Sequence, residues 1–305
     1  GSYGTLGILT RLVFRLVPAA PFVRLEYRRL GSADEFHSGM RAICAAGDFD
    51  FVDGIVHGPG AFVLCLGRFE DRPSRVSSYR REDVYYRSTL ALGEDHLSTA
   101  DYCFRYDTEC HWLSRTFPPL EWRPVRRVLG PWLLGSTNLI RWSGRARPLL
   151  EAARGIRARA ARRPRASRPD VVCDVFIPSS RFPDFWAGYA SSFDHYPLWV
   201  VPYRMPARYP WISPGLASRW AAGDDLFVDC AVYGKRNDDP AVDWSVRLEE
   251  ETFSLGGIKT LISRNHYSED RFWQIYDRPA YDSAKSRLDP AGTFQGLYEK
   301  LGRTG

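Results

Sequence analysis

Three short segments carry residue types that can hold a ligand or move a proton. The first is Ser2-Tyr3-Gly4-Thr5-Leu6-Gly7-Ile8, where glycines at 1, 4 and 7 with Ser and Thr between them allow a tight loop. Its backbone N–H groups can reach a phosphate or a ring carbonyl with no Cβ in the way. It is not a Rossmann fingerprint, because the glycines precede a strand-like run and no βαβ unit follows. The second segment is Arg105-Tyr106-Asp107 with His111 and Trp112 beyond it: a cation, a phenol, a carboxylate and an imidazole close together, able to hold a substrate and deliver a proton. The plainer reading is a surface Arg–Asp pair with Trp112 in the core. The third is Asn265-His266-Tyr267, at a strand-to-helix junction whose side chains face a crevice. Its plainer reading exposes His266 and packs Tyr267. Lys259 reads as a solvated strand-end residue. The sequence has no Ser-His-Asp arrangement, no metal-ligand spacing and no NTPase phosphate loop, so hydrolase and NTPase readings have no support.

The elements that must position these segments follow from periodicity. Gly7 to Val17 is a β-type run, and Pro18 to Pro21 closes it, so a new unit starts there. Val23, Leu25 and Tyr27 alternate as in a strand. Ser32 to Ala46 has an N-cap and helical spacing at Phe36, Met40 and Ile43. Two further β-runs, Phe51 to His57 and Ala61 to Phe69, are joined into a hairpin by Gly58-Pro59-Gly60. A β-α-β-β order opens an antiparallel α+β layer, not a doubly wound sheet. The second half repeats the theme: Val171 to Ile177, a helix from Ser180 to Ser192, then strands Pro197 to Tyr203 and Asp225 to Tyr233. A helix Val242 to Leu255, a strand Lys259 to Ser263 and a run of short helices complete the chain. Tyr85 to Arg147 is aromatic, broken by Pro and without a clear period. Glu151 to Pro169 reads as a solvated helix fraying into a flexible basic loop.

Charge narrows the partners. The 305 residues carry 42 basic and 36 acidic side chains, but seven Arg against one Glu lie between Glu151 and Arg168, and the rest is balanced at 35 each. The body of the protein is neutral, which argues against a nucleic-acid partner. The basic stretch offers contact with anionic lipid headgroups, against the plainer reading of a solvated loop. The longest run without a charge, Gly54 to Gly67, falls short of the roughly 18–20 apolar residues a bilayer span needs. Gly1 to Thr10 lacks the features of a signal peptide and reads like the middle of a longer protein. Six cysteines without CxxC or Cys/His clustering read as buried reduced thiols of a cytoplasmic protein. Trp132, Trp142, Trp186, Trp199, Trp211 and Trp220 give the middle of the chain an aromatic character that suits a core and, in part, a hydrophobic substrate slot.

Taken in order, the blocks Phe51-Val52-Asp53-Gly54, Tyr85-Tyr86-Arg87-Ser88, Arg105-Tyr106-Asp107, Asp174-Val175-Phe176-Ile177-Pro178 and Tyr196-Pro197-Leu198-Trp199 form a pattern. Phe227-Val228-Asp229 with Tyr233-Gly234, Gly256-Gly257-Ile258-Lys259, Tyr267 to Trp273, Leu288-Asp289-Pro290 and Tyr298-Glu299-Lys300 continue it. With the opening run Gly1 to Pro18, the whole resembles the FAD-linked oxidases of the vanillyl-alcohol oxidase type, in the sterol side-chain reductase branch with its bacterial relatives.

The resemblance implies an α+β cap or substrate domain over residues 21–305, mainly an antiparallel sheet with helices on one face and ferredoxin-like elements. Residues 1–20 are then the end of an FAD-binding domain. It implies FAD as cofactor, with Ser2, Tyr3, Gly4, Thr5, Gly7 and Ile8 against it, and hydride transfer between flavin and a hydrophobic, sterol-like or lipid-linked substrate. Arg105, Tyr106 and Asp107 from one segment and Asn265 and Tyr267 from the other are the expected catalytic groups, converging on one site. The family's long N-terminal FAD segment is missing, so the chain reads as a fragment, inactive alone. The membrane anchor of the family's eukaryotic members is missing too, and Tyr102-Cys103-Phe104-Arg105-Tyr106-Asp107 stands where relatives have a His-rich stretch before the aligned Trp, which leaves the substrate open. The rival reading is a non-catalytic binding module of the same cap fold, touching lipid surfaces through its Arg-rich loop.

Overall fold

In the computed structural model, residues 2–80, 83–109, 118–138, 141 and 168–302 are described. Alternation of apolar and polar residues makes β1 (Phe22–Leu30), which buries Val23, Leu25 and Tyr27 on one face. Helix α1 (Ala33–Ala46) starts at Ser32, whose Oγ accepts the Glu35 N–H, while the Glu35 carboxylate accepts the Gly31 N–H. It ends at Gly47, in the left-handed region at φ 69°. Strands β2 (Phe51–Gly58) and β3 (Ala61–Glu70) form the expected hairpin. Then come α2 (Tyr85–Ala91), β4 (Glu94–Ser98), α3 (Thr99–Cys103) and α4 (Arg123–Leu133).

The second half is β5 (Val171–Pro178), α5 (Phe182–Gly188), β6 (Leu198–Arg204), α6 (Pro214–Ala217), β7 (Leu226–Lys235), α7 (Trp244–Ser254) and β8 (Ile258–Lys259). Three short helices follow: α8 (Glu269–Ile275), α9 (Arg278–Leu288) and α10 (Leu297–Leu301).

The eight strands form one antiparallel sheet in the order β4-β1-β3-β2-β6-β7-β5-β8. The two halves are topological copies. β1-α1-β2-β3-β4 and β5-α5-β6-β7-β8 have the same strand order from edge to middle, and they join where β2 meets β6. Each copy is a split β-α-β with a hairpin, the ferredoxin-like element expected from the sequence. The α+β class and antiparallel sheet stand.

One face of the sheet carries α1, α5 and α7. Phe36, Met40, Phe182, Phe185 and Leu248 pack there against Val56, Leu64, Val175, Val200, Val228 and Cys230. The contact is close at Gly54, where a Cβ would come within 2.5 Å of the Phe36 ring. Among the described residues the other face carries two caps, one at each end. At the β1–β3 end, Tyr79, Tyr85, Tyr86, Tyr102 and Tyr106 lie on Val23, Leu25, Ile55 and Cys65, so part of the unassigned aromatic segment is a lid of tyrosines on short helices. At the β8 end, Ile212, Leu216, Tyr267, Phe272 and Ile275 pack on Phe227 and Ile258. Between these caps lie Trp199, Asp229 and Tyr233, each half-buried.

Some expected elements differ. Residues 8–17 form no strand. Ile8, Leu9, Leu12, Val13, Phe14, Leu16 and Val17 are 66–81% exposed, since no strand among the described residues pairs with them. The strand expected over Lys259–Ser263 is only Ile258–Lys259, because the Lys259 side chain gathers the next residues into a loop. Lys259 is also not solvated: it is 3% exposed and paired with Glu249. Of the cysteines, Cys65, Cys173 and Cys230 are buried, but Cys103 is exposed. Residues 154–167, His111, Trp112, Trp142 and Cys110 lie outside the described residues. Arg168, at the end of the basic stretch, donates to the carbonyls of Asp239 and Val242 and lies 3.4 Å from Asp243. Among the described residues no helix is long and apolar enough to cross a membrane.

Candidate functional site

The ladder between β2 and β6 covers only Gly54 to Val56 against Val200 to Leu198. Beyond it β2 follows β3 and β6 follows β7, so the two strands splay apart. Pro202, with no N–H to give, sits on one lip of the gap. The result is a crevice of about 530 Å³ walled by Phe51, Val52, Asp53, Arg105, Trp199 and Val201.

Asp53 organises the crevice wall. Its Oδ2 accepts hydrogen bonds from Arg105 Nη2 at 2.9 Å, Tyr106 OH at 3.1 Å and Trp199 Nε1 at 2.8 Å. Arg105 is held in turn by Nη1 donating to the Tyr102 carbonyl at 2.9 Å, and its guanidinium lies 4.1 Å from the Tyr102 ring centre and 4.6 Å from that of Tyr106. Burial pushes the Tyr106 hydroxyl well above the usual tyrosine range, with the Asp53 charge adding to the effect, so it stays a donor. Asp53 Oδ1 and Arg105 Nε are buried and have no hydrogen-bond partner among the described residues.

A second group lies on the same face, two strands away. Asp229 on β7 pairs in register with Val201 of β6 and Phe176 of β5. Its neighbour Ala231 sits opposite Trp199 on one side and Asp174 on the other. The Asp174 carboxylate accepts from Tyr233 OH at 2.6 Å. Asp229 Oδ1 is buried without a partner among the described residues. Burial, and then the nearby Asp174 charge, push its carboxyl up to about 8. At neutral pH it therefore carries a proton. β7 lies two strands from β2, with β6 between them.

The sequence-derived candidates divide. Arg105 and Tyr106 meet at the crevice, both on Asp53. Asp107 turns away: its Oδ1 accepts from the Ser136 N–H at 3.0 Å and Oγ at 2.5 Å, tying down the next segment instead of facing the crevice. Asn265 and Tyr267 do not join them. Asn265 Oδ1 accepts from Lys259 Nζ at 2.9 Å, Nδ2 donates to the Ser263 carbonyl, and the His266 N–H goes to Glu249. This network is built on β8, four strand spacings or roughly 19 Å from β2, and Glu249 belongs to α7 on the opposite face from Arg105. Tyr267 packs with Phe272, Ile275 and Leu297. The expected convergence of the two segments on one site is not what the structure has.

Tyr267 OH is buried with no partner among the described residues. Tyr267→Phe is therefore expected to leave the urea midpoint unchanged or slightly raised, since removing an unsatisfied hydroxyl removes a desolvation cost. A loss above about 1 kcal/mol would assign that hydroxyl a partner.

The opening loop packs on the C-terminal helices. Thr5, fully buried, donates through N–H and Oγ1 to the Ser2 carbonyl. Lys300 Nζ donates to the Tyr3 carbonyl and Lys285 Nζ to the Thr5 carbonyl, both at 2.8 Å. Gly4 and Gly7 take φ of 71° and 151°, and the space beside the Gly7 Cα is open. Ile8 is 79% exposed.

The sequence reading did not single out Asp53 or Asp229, and it named Trp199 only among tryptophans suited to a core and, in part, a substrate slot. Asp229 had a readable signal, a lone carboxylate in the apolar run Leu226 to Tyr233.

No protein-family model matches the chain. Over 319 residues it is 22% identical to the Delta(24)-sterol reductases of Macaca fascicularis and Homo sapiens, the alignment covering 98% of this chain and 57% of each relative. With the Delta(24)-sterol reductase homolog dhcr-24 of Caenorhabditis elegans it is 19% identical over 320 residues, covering 100% of this chain and 58% of the relative. The chain thus spans somewhat over half the length of the curated relatives it matches.

Proposed function

We propose that this chain is the substrate-facing part of an FAD-dependent oxidoreductase that moves a hydride between flavin and a carbon of a hydrophobic, sterol-like substrate. The observation that carries the reading is the similarity over nearly the whole chain to proteins named Delta(24)-sterol reductase. Two features agree with it. The apolar stretch from Ile8 to Val17 lies exposed and unpaired among the described residues, as expected of residues that complete a separate flavin domain ending near residue 20. The central sheet face carries the half-buried Trp199 and Tyr233 between two aromatic caps, the kind of lining a flat apolar ligand needs.

The opening loop fits a flavin nucleotide in its donor set. Two of its carbonyls, those of Tyr3 and Thr5, are taken by lysines, Gly7 leaves open space at its backbone, and the N–H groups of Leu6 and Gly7 have no partner among the described residues. Ser2, Tyr3, Gly4, Thr5, Gly7 and Ile8 would hold the nucleotide. FAD, when bound, supplies the hydride carrier. The chain's own part is to bind the substrate and manage the proton. Arg105, Tyr106 and Trp199 fix the Asp53 carboxylate in the crevice wall, and Asp229 holds a proton on the sheet face where a carbon acid or its conjugate alkene can receive or return it.

The test uses the protein at its full natural length. It is expected to purify with flavin absorbance. After anaerobic reduction it is expected to reoxidise on mixing with a Δ24-unsaturated sterol, with hydride added to one alkene carbon and a proton to the other. A protein that takes up no flavin, or a reduced flavoprotein indifferent to such sterols, would sink the reading.

A further inference from the structure

We propose that the crevice between β2 and β6 takes the alcohol end of a flat apolar ligand, with Asp53 Oδ1 accepting the hydrogen bond of its hydroxyl. The inference rests on the sterol-like reading above and assigns the residue that reads the polar end of the substrate.

Asp53 is 4% exposed, and its orientation is fixed, because three donors from three different elements converge on Oδ2. That leaves Oδ1, on a residue that lines the crevice, buried and without a partner among the described residues. A carboxylate oxygen in that state carries its full desolvation cost until a donor arrives.

The surroundings decide which donor. An ammonium is disfavoured, since Arg105 already balances this carboxylate from 2.9 Å away. An anion is disfavoured by the carboxylate itself. What remains is a neutral donor; among the other walls Ile43, Phe49, Phe51, Val52 and Val201 suit an apolar body behind it, while the exposed Asp50 and Arg204 keep the lining partly polar. The volume of about 530 Å³ lies in the usual range of small-molecule sites. A hydroxyl on a fused-ring or long aliphatic body can donate to Oδ1 and accept from the unpaired Arg105 Nε, whereas a ketone can meet only Arg105 and leaves Oδ1 without a donor.

The test is equilibrium binding of cholesterol and of cholestenone, its ketone counterpart, to the full chain and to Asp53→Asn, with cetyl alcohol as a non-sterol alcohol. Neither sterol has a side-chain double bond to react. The wild-type protein is expected to bind cholesterol about 10- to 100-fold more tightly than cholestenone, the worth of a hydrogen bond to a charged acceptor. This comparison needs no variant. In Asp53→Asn the amide oxygen keeps the three protein donors and its NH2 group turns to the crevice, so the preference is expected to fall to near parity or reverse. Equal binding of the two sterols by the wild-type protein, or an unchanged preference in Asp53→Asn, would overturn the assignment of Asp53 while leaving the sterol reading. Tight binding of cetyl alcohol alone, lost in Asp53→Asn, would keep Asp53 as the hydroxyl acceptor and overturn the sterol reading. No binding of any of the three would overturn both.

Discussion

Asp53→Ala is expected to lower the unfolding free energy by about 3–5 kcal/mol, the range for breaking one side of a buried ion pair. The cause is what the substitution strands. Arg105, 9% exposed, keeps a full charge with its carboxylate gone, and Tyr106 OH and Trp199 Nε1 lose the acceptor they share. The three tyrosine rings around the guanidinium soften the loss without cancelling it, since cation–π contacts contribute about 0.5–2 kcal/mol and were present before. Asp53→Ala combined with Arg105→Met should recover much of the deficit, because an apolar residue of similar volume removes the stranded charge. Urea unfolding of the three proteins measures this directly. If Asp53→Ala alone cost under 1 kcal/mol, water would have to reach Arg105, and the crevice wall would not be the dry, ordered surface described above.

The contrast between what the sequence disclosed and what it concealed follows sequence separation. The β-α-β-β theme and its repeat were legible because each unit is local: an N-cap at Ser32, helical spacing to Ile43, a Gly-Pro-Gly hairpin at 58–60. Arg105 and Tyr106 stood out as neighbours in the chain. Their common partner did not, because Asp53 is 52 residues before Arg105 and 146 before Trp199, and only the sheet order brings these segments together. Asn265 and Tyr267 misled for the same reason. A strand-to-helix junction looks like a ligand loop from its composition, yet Lys259 and Glu249 bind the loop inward, and that pair is visible only once β8 and α7 are in place. The aromatic segment after Tyr85 resisted assignment because its tyrosines serve one surface from two short helices and the turns beside them, with no single period to read.

Asp229→Asn in the flavin-loaded complete protein is expected to slow saturation of a Δ24 sterol about 100-fold or more, with substrate affinity little changed. Asn matches the carboxyl in shape and can donate a hydrogen bond, but it has no proton to give at a useful pKa. Because burial and the Asp174 charge hold the Asp229 carboxyl at about 8, the wild-type rate is expected to be level at neutral pH and to fall as pH rises through about 8, and the variant should lose that step. A structural role makes a different forecast. A carboxyl raised from 3.8 in the unfolded chain to about 8 in the fold contributes its full stability in acid, and that contribution is lost as pH climbs through this interval. Asp229→Asn should therefore match the wild-type protein near pH 4 and be the more stable of the two above pH 8, measured by thermal unfolding across the range. If the stability curves cross in this way but the rate and its pH step are unchanged, Asp229 is a buried acid that the reaction does not use, and the proton must come from elsewhere. If both change, the sheet face between the two aromatic caps is where the substrate's reacting carbon lies, with the crevice at Asp53 holding its far end.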